Sequence, residues 1–139
     1  MNRIVKSGAG WQLGWNPEAE EFVGLVGGES WAFELTVDEL QDFCRLLSQL
    51  AETMNAMKDE LMDEERITCE AESDRLWLEV EGYPHAYSVR LILNSGRGCE
   101  GEWLPNAVPE LLQAVRMLGE EVGLSNKYST TRRHQNKIL

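Results

Sequence analysis

The sequence predicts an α+β fold of duplicated ββββα units, in which two antiparallel four-stranded sheets are each packed with one helix. Two observations predict this fold. Short segments of alternating apolar and polar residues precede, on two occasions, a longer segment whose apolar residues recur every three or four positions. The first pattern is typical of strands with one buried face, and the second is typical of amphipathic helices. Turn residues separate the strand candidates at short intervals, which favours antiparallel neighbours.

Four strand candidates precede the first helix. The clearest is residues 31–35, where Trp31 and Phe33 fall on the apolar side of the alternation and are expected in the core. The weaker candidates are residues 3–6, 11–15 and 22–26.

The first helix is predicted over residues 37–62. Thr36 and Glu39 have the spacing of a capping box, in which each side chain accepts a backbone N–H of the other residue. An apolar stripe continues to the end of the segment, at Leu40, Phe43, Cys44, Leu47, Leu50, Met54, Met57 and Leu61. A helix of this length spans about 39 Å, so we expect a second layer along all of it.

The second half repeats the order of the first. Strands are predicted at residues 67–73, 76–82, 86–93 and 98–104. A second helix is predicted over residues 107–122, with Asn106 as its N-cap, Pro109 in its first turn and Gly123 at its end. Tyr87 falls on the apolar side of its strand and is expected in the core.

The charged residues divide the chain into an acidic body and a basic tail. We predict a single domain over residues 1–123, made of halves 1–62 and 67–123, followed by a polar basic tail over residues 124–139. The body contains all 24 acidic residues and nine of the 13 basic ones, which is a net charge of −15. Such a body repels nucleic acid and anionic lipid and attracts basic partners.

Several function classes have no support in the sequence. Cys44, Cys69 and Cys99 are widely spaced and form no CxxC or Cys/His cluster, so we expect reduced thiols and neither a disulfide framework nor a metal site. Motifs of nucleotide-binding loops, serine hydrolases and zinc proteases are absent, so we expect no enzyme activity, no catalytic residue and no cofactor. No segment reaches the length of a membrane helix and residues 1–6 lack a signal-peptide core, which predicts a cytoplasmic protein without membrane contact.

Five strings of sequence resemble one small cyanobacterial family, catalogued as domain of unknown function eighteen-eighteen. They are residues 10–15, 25–28, 31–36, 76–87 and 108–112. The resemblance extends over nearly the whole acidic body. It implies a fold like that of the Whirly and Pur-alpha single-stranded DNA-binding regulators, with repeated ββββα units. It implies no catalytic residue, because none is assigned in the family.

Acidic residues collect on the side of the predicted strands opposite the core. In the second half the set is Glu70, Glu72, Trp77, Glu79, Glu81, Arg90, Glu100 and Glu102, and Glu34 is its counterpart in the first half. A solvated sheet face that keeps the protein soluble explains these carboxylates. They also predict a non-catalytic interaction module that binds a basic protein segment, with Trp77 as an aromatic anchor.

The tail contains Lys127, Arg132, Arg133 and Lys137. It is consistent with a disordered solubilising extension, with a segment that folds back on the acidic sheet, or with a contact to nucleic acid or a partner. The alternative function is therefore a single-stranded nucleic-acid-binding regulator that uses exposed tryptophans and this tail. The negative charge of the body opposes it. A monomer and a homodimer are both compatible with the sequence.

Overall fold

The computed structural model describes residues 3–58, 60, 65–94 and 96–123, and the predicted order ββββα occurs twice within them. The first half consists of β1 (Ile4–Gly8), β2 (Trp11–Trp15), β3 (Gly24–Gly27), β4 (Ala32–Leu35) and α1 (Val37–Met57). The second half consists of β5 (Ile67–Glu72), β6 (Leu76–Tyr83), β7 (Ala86–Leu93), β8 (Glu100–Trp103) and α2 (Val108–Val122). The predicted α+β architecture of duplicated ββββα units is confirmed.

Each half forms an antiparallel sheet in which neighbours in sequence are neighbours in space. The first sheet has the order β1-β2-β3-β4 and the second has the order β5-β6-β7-β8. Burial alternates residue by residue along β6 and β7, as the sequence predicts. Strand β8 is shorter than predicted because Gly96 and Gly98 precede it with φ angles of +87° and +72°, which lie outside the extended region.

Helix α1 begins as predicted but ends earlier. Thr36 Oγ1 accepts the N–H of Glu39 at 3.1 Å, and Glu39 Oε1 accepts the N–H of Thr36 at 2.9 Å, so the capping box is confirmed. The helix ends at Met57 and not at residue 62, where the sequence predicts its end. Its last turn has no basic residue, and the acidic residues that follow oppose the negative end of the helix dipole. The predicted stripe residue Leu61 lies outside the described residues.

Helix α2 lacks the predicted cap. Asn106 is not the N-cap, because that position is taken by Ala107, which makes no side-chain capping bond. The N–H groups of Ala107 and Val108 are already satisfied by the carbonyl oxygens of Leu104 and Pro105, at 2.9 and 3.3 Å. A backbone turn therefore leads directly into the helix and replaces the side-chain cap. The predicted end at Gly123 is confirmed, with a φ of 77°.

Both helices contact both sheets. Helix α1 contacts β5 and β6 of the second sheet and β4 of the first, whereas α2 contacts β2 and β7, and the helices contact each other. The buried apolar residues of the two halves accordingly form one cluster. Trp103 joins the two sheets, because its indole N–H donates to the Gly27 carbonyl at 2.8 Å. Its ring also packs edge-on against that of Trp31, with the ring centres 4.9 Å apart.

The aromatic residues predicted to lie in the core differ in burial. Tyr87 is 8% exposed and belongs to the core. Trp31 and Phe33 are only half-buried, and their rings stack at 5.2 Å against the margin of the core. Strand β4 is an edge strand of the first sheet, so its inward side chains are covered from fewer directions than those of a central strand.

Two buried carboxylates attach the start of α1 to the second sheet. Asp42 is 1% exposed and accepts hydrogen bonds from Ser73 Oγ at 2.7 Å and Arg75 Nη1 at 3.2 Å, both in the β5–β6 turn. Glu39 is 5% exposed and pairs with Arg97 Nη2 at 2.6 Å, from the β7–β8 connection. Buried charges persist in proteins when they are paired in this way.

Candidate interaction face

The outer face of the second sheet, which we call the acidic face, brings together all eight residues predicted to contact a partner. Their side chains share this face because they alternate along each strand with the buried residues that contact the helices. The register of the four strands then aligns them across the sheet. The set is Glu70, Glu72, Trp77, Glu79, Glu81, Arg90, Glu100 and Glu102.

One row across the middle of the acidic face contains three carboxylates and one cation. Glu79 lies directly opposite Glu70 on one side and Arg90 on the other, and Arg90 lies opposite Glu102. Like charges directly opposite each other are destabilising. Arg90 Nη2 pairs with Glu100 Oε2 at 3.3 Å and not with a carboxylate of its own row. Among the described residues, Glu70, Glu79 and Glu102 therefore have no ion-pair partner.

The remaining cation beside this face is Arg66, just before β5. It pairs with Glu81 and lies over the ring of Tyr83, 5.3 Å from the ring centre. The hydrogen bond to Glu81 is the main cause that raises the pKa of Arg66. Within the part of the chain that the structure describes, the carboxylates of this face without an ion-pair partner are thus Glu70, Glu72, Glu79 and Glu102.

Trp77 occupies one end of the acidic face. Its indole N–H donates to Glu70 Oε1 at 3.3 Å, and its ring is half-buried. Its direct neighbours are Glu72 on β5 and Ile92 on β7. An aromatic residue beside a β-branched one forms a favourable pair, so Trp77 and Ile92 make an apolar spot. Sequence reasoning missed Ile92, although the period of two along β7 places it on this face.

A shallow depression of about 400 Å³ lies in the middle of the acidic face. Ser88 lines it together with Arg90 and the carboxylates of β6 and β8. Adjacent strands in a sheet are about 4.8 Å apart, so the carboxylates of β6 and β8, on either side of β7, surround the same small volume. A cationic side chain entering it would meet acceptors from several sides.

The outer face of the first sheet is different. Its strand residues are Val5, Ser7, Gln12, Gly14, Leu25, Gly27, Ala32 and Glu34. Glu34 is the one charged side chain in that set. Glu34 therefore lies on the side opposite the core, as predicted, but in the first sheet and apart from the acidic face.

The five tryptophans do not form an exposed row. Trp11 and Trp103 are buried, and their indole N–H groups donate to Glu110 Oε1 and to the Gly27 carbonyl. Trp31 packs against the core and donates to the Glu102 carbonyl at 3.2 Å. The two others, Trp15 and Trp77, are half-buried and lie in different sheets. Single-strand binders place several stacking rings along one groove.

The sequence profile of a domain of unknown function, DUF1818, matches residues 6–118. The chain belongs to the DUF1818 family. The resemblance found in the sequence is thereby confirmed for the family. The match runs from β1 into α2, so the strands that form the acidic face belong to the DUF1818 domain.

A solved structure has the same overall fold. It is a protein of unknown function from the DUF155 family, from Prochlorococcus sp. NATL2A, with a TM-score of 0.79 and 29% sequence identity. The similarity covers 83% of this DUF1818 chain and 98% of that chain. Comparison with curated proteins gives no match. The relation to Whirly and Pur-alpha regulators stays a prediction.

The tail residues Lys127, Arg132, Arg133 and Lys137 lie outside the described residues. The three cysteines are free thiols. Within residues 3–58, 60, 65–94 and 96–123, no cluster of three or more His, Cys, Asp and Glu side chains is arranged to hold a metal ion. Neither helix in these ranges is long and apolar enough to cross a membrane.

Proposed function

We propose that this DUF1818 domain is a non-catalytic interaction module that binds a basic segment of a protein partner on its acidic face. The observation that supports it is the row Glu70–Glu79–Arg90–Glu102, in which the three carboxylates lack an ion-pair partner among the described residues. A lysine or arginine of the partner would supply the missing charge. It would also relieve the repulsion between Glu70 and Glu79.

The apolar spot at the end of the acidic face gives the partner a second chemical requirement. Trp77 and Ile92 would contact an apolar side chain that lies next to the basic ones. Aromatic residues contribute strongly at interfaces, whereas each exposed ion pair contributes about 0.2–1 kcal/mol. The affinity should therefore combine several weak, salt-sensitive contacts with one apolar anchor.

A charge-matched pair of variants tests the proposal. The ligand is a fluorescein-labelled peptide of arginines flanking one leucine, followed by fluorescence anisotropy at low salt. Glu79→Gln/Glu102→Gln removes two charges from the acidic face, and Glu18→Gln/Glu20→Gln removes two from the β2–β3 connection. We expect about fivefold weaker binding for the first variant and less than about twofold for the second. Equal losses would mean that only net charge attracts the peptide and would overturn the proposal.

The predicted alternative, single-stranded nucleic-acid binding, is a competing outcome of the same assay. Labelled single-stranded DNA and RNA replace the peptide at low salt, the condition most favourable to phosphate contacts. We expect no binding, because the carboxylates repel a phosphate backbone. Micromolar binding that weakens with added salt would replace the peptide proposal with the alternative.

A further inference from the structure

We propose a second site in this protein, a groove between α1, α2 and the β6–β7 turn that binds a small amphipathic anion. The groove has a volume of about 590 Å³. Volumes of this size are typical of sites for small molecules and cofactors. The site is separate from the acidic face and does not depend on the function proposed for that face.

The walls of the groove are two helical stripes. One wall is formed by a single face of α1 and its C-cap, at residues 48, 51, 52, 55 and 58. Residues 108, 109, 112 and 116 line the other wall with the same spacing on α2. The groove therefore follows from the way the helices pack, and no loop rearrangement is needed to form it.

The charge of the groove is opposite to that of the chain. Nine Lys and Arg residues lie in the described ranges, and six of them are in ion pairs with carboxylates. Of the three others, Lys58 and Arg116 both line this groove, and the third is Arg3. Glu52 is the one acidic residue that lines it. In a chain of net charge −11, two cations in one groove that have no ion-pair partner among the described residues favour an anionic ligand group.

Tyr87 provides a polar group at the base of the groove. The residue is 8% exposed and lines the groove, and no described residue forms a hydrogen bond with its hydroxyl. Burial raises the pKa of Tyr87, so the phenol is a hydrogen-bond donor at neutral pH. A phenol that lines the groove can donate a hydrogen bond to an anionic or carbonyl oxygen of a ligand.

The rest of the lining is largely apolar. Val108, Pro109 and Leu112 contribute apolar surface from α2, and Ala51 and Ala86 contribute it from α1 and β7. Together with two cations and one phenol, this lining fits a ligand with an apolar ring or chain and one acidic group. A cleft that combines apolar surface with converging polar groups is typical of specific ligand sites.

Two dyes that differ in one charged group test the proposal. The first is 8-anilinonaphthalene-1-sulfonate, and the second is N-phenyl-1-naphthylamine, which has the same rings without the sulfonate. Each is titrated into the full chain and followed by its fluorescence. We expect the sulfonate dye to bind the native chain. The variant Lys58→Gln/Arg116→Gln should lower the affinity for the sulfonate dye about tenfold and change the affinity for the neutral dye less than about twofold. Tyr87→Phe should lower the affinity for the sulfonate dye about threefold.

Arg3→Gln is the matched control, because Arg3 likewise has no ion-pair partner in the described ranges but does not line the groove. This variant should leave the affinities for both dyes unchanged. The proposal would be overturned if the sulfonate dye did not bind, or if it bound the double variant as tightly as the native chain. It would also be overturned if Arg3→Gln lowered the affinity for the sulfonate dye as much as the double variant does. An equal loss of affinity for the neutral dye in the double variant would also overturn the proposal, because the two cations would then stabilise the shape of the groove and not bind the anionic group.

Discussion

At the scale of single residues, burial decides the chemistry of the thiols. The sequence predicts all three cysteines on buried faces, and this is confirmed for Cys44, which is 4% exposed on α1. Cys69 and Cys99 are only half-buried. Desolvation raises the pKa of the Cys44 thiol to about 12. A thiolate there would have no water around it, so Cys44 is a structural residue and not a nucleophile.

The shifted pKa of Cys44 predicts a loss of stability at high pH. Below pH 9.0, the ordinary pKa of a thiol, Cys44 is protonated in both the folded and the unfolded chain. Above it the unfolded thiol ionises while the folded one stays protonated up to about pH 12, so the folded state loses stability across this window. The loss is about 1.4 kcal/mol at pH 10.

The measurement is urea unfolding of the native chain and Cys44→Ala from pH 7 to pH 11. Alanine has no proton to lose, so the difference in unfolding free energy between the two proteins should narrow as the pH rises above 9. A constant difference over the whole range would contradict the assigned pKa.

At the scale of elements, the first helix shows which local signals are reliable. Its start is defined by two side chains three residues apart, and the capping box that they predict is present. Its end was predicted from the apolar stripe alone and is placed five residues too late. A stripe reports which face is apolar, but it contains no signal for the residue where helical hydrogen bonding ceases.

The capping box predicts a measurable contribution to stability. Thr36→Ala removes the acceptor for the Glu39 N–H and should lower the free energy of unfolding by about 1 kcal/mol. Thr36→Ser keeps the hydroxyl and serves as the control, with an expected change below about 0.5 kcal/mol. Urea denaturation followed by far-ultraviolet circular dichroism gives both values. Equal losses in the two variants would mean that the methyl group, and not the cap, stabilises the helix start.

At the scale of the whole molecule, one tryptophan connects the two halves. Trp103 is fully buried, its indole N–H donates to Gly27 in the other sheet, and its ring lies 5.6 Å from that of Phe43 on α1. The sequence predicts its burial from the alternation along β8. Its partners lie 76 and 60 residues away in the chain, so no local pattern predicts them.

Replacing this tryptophan should affect the entire fold. Trp103→Phe leaves a cavity and removes the indole N–H that donates to the Gly27 carbonyl, and we expect a loss of about 2–4 kcal/mol in one cooperative unfolding transition. Trp77→Phe makes the same change on the acidic face and should cost less than about 1 kcal/mol. Thermal and urea unfolding measure both. Two separate transitions, or equal losses for the two variants, would contradict a core shared by the two sheets.

The elements and the acidic face were predictable because both follow from local periodicity. A period of two along β6 and β7 reports directly which side chains are buried, and the same alternation places Glu79 and Arg90 on the opposite face. Register within a meander of short turns then follows from which faces are apolar. The cap of α2 was not predictable, because backbone carbonyls of the preceding turn replaced the expected side chain.

The sequence by itself determined the order of the elements, the family and the composition of the acidic face. Only the tertiary structure decided that each helix lies against both sheets, that Trp103 bonds to Gly27, and that Lys58 and Arg116 line one groove. The physical reason is how far apart in the chain the interacting residues lie. Alternating burial is a property of neighbouring residues, whereas these contacts depend on how side chains far apart in the chain fit together in a close-packed interior.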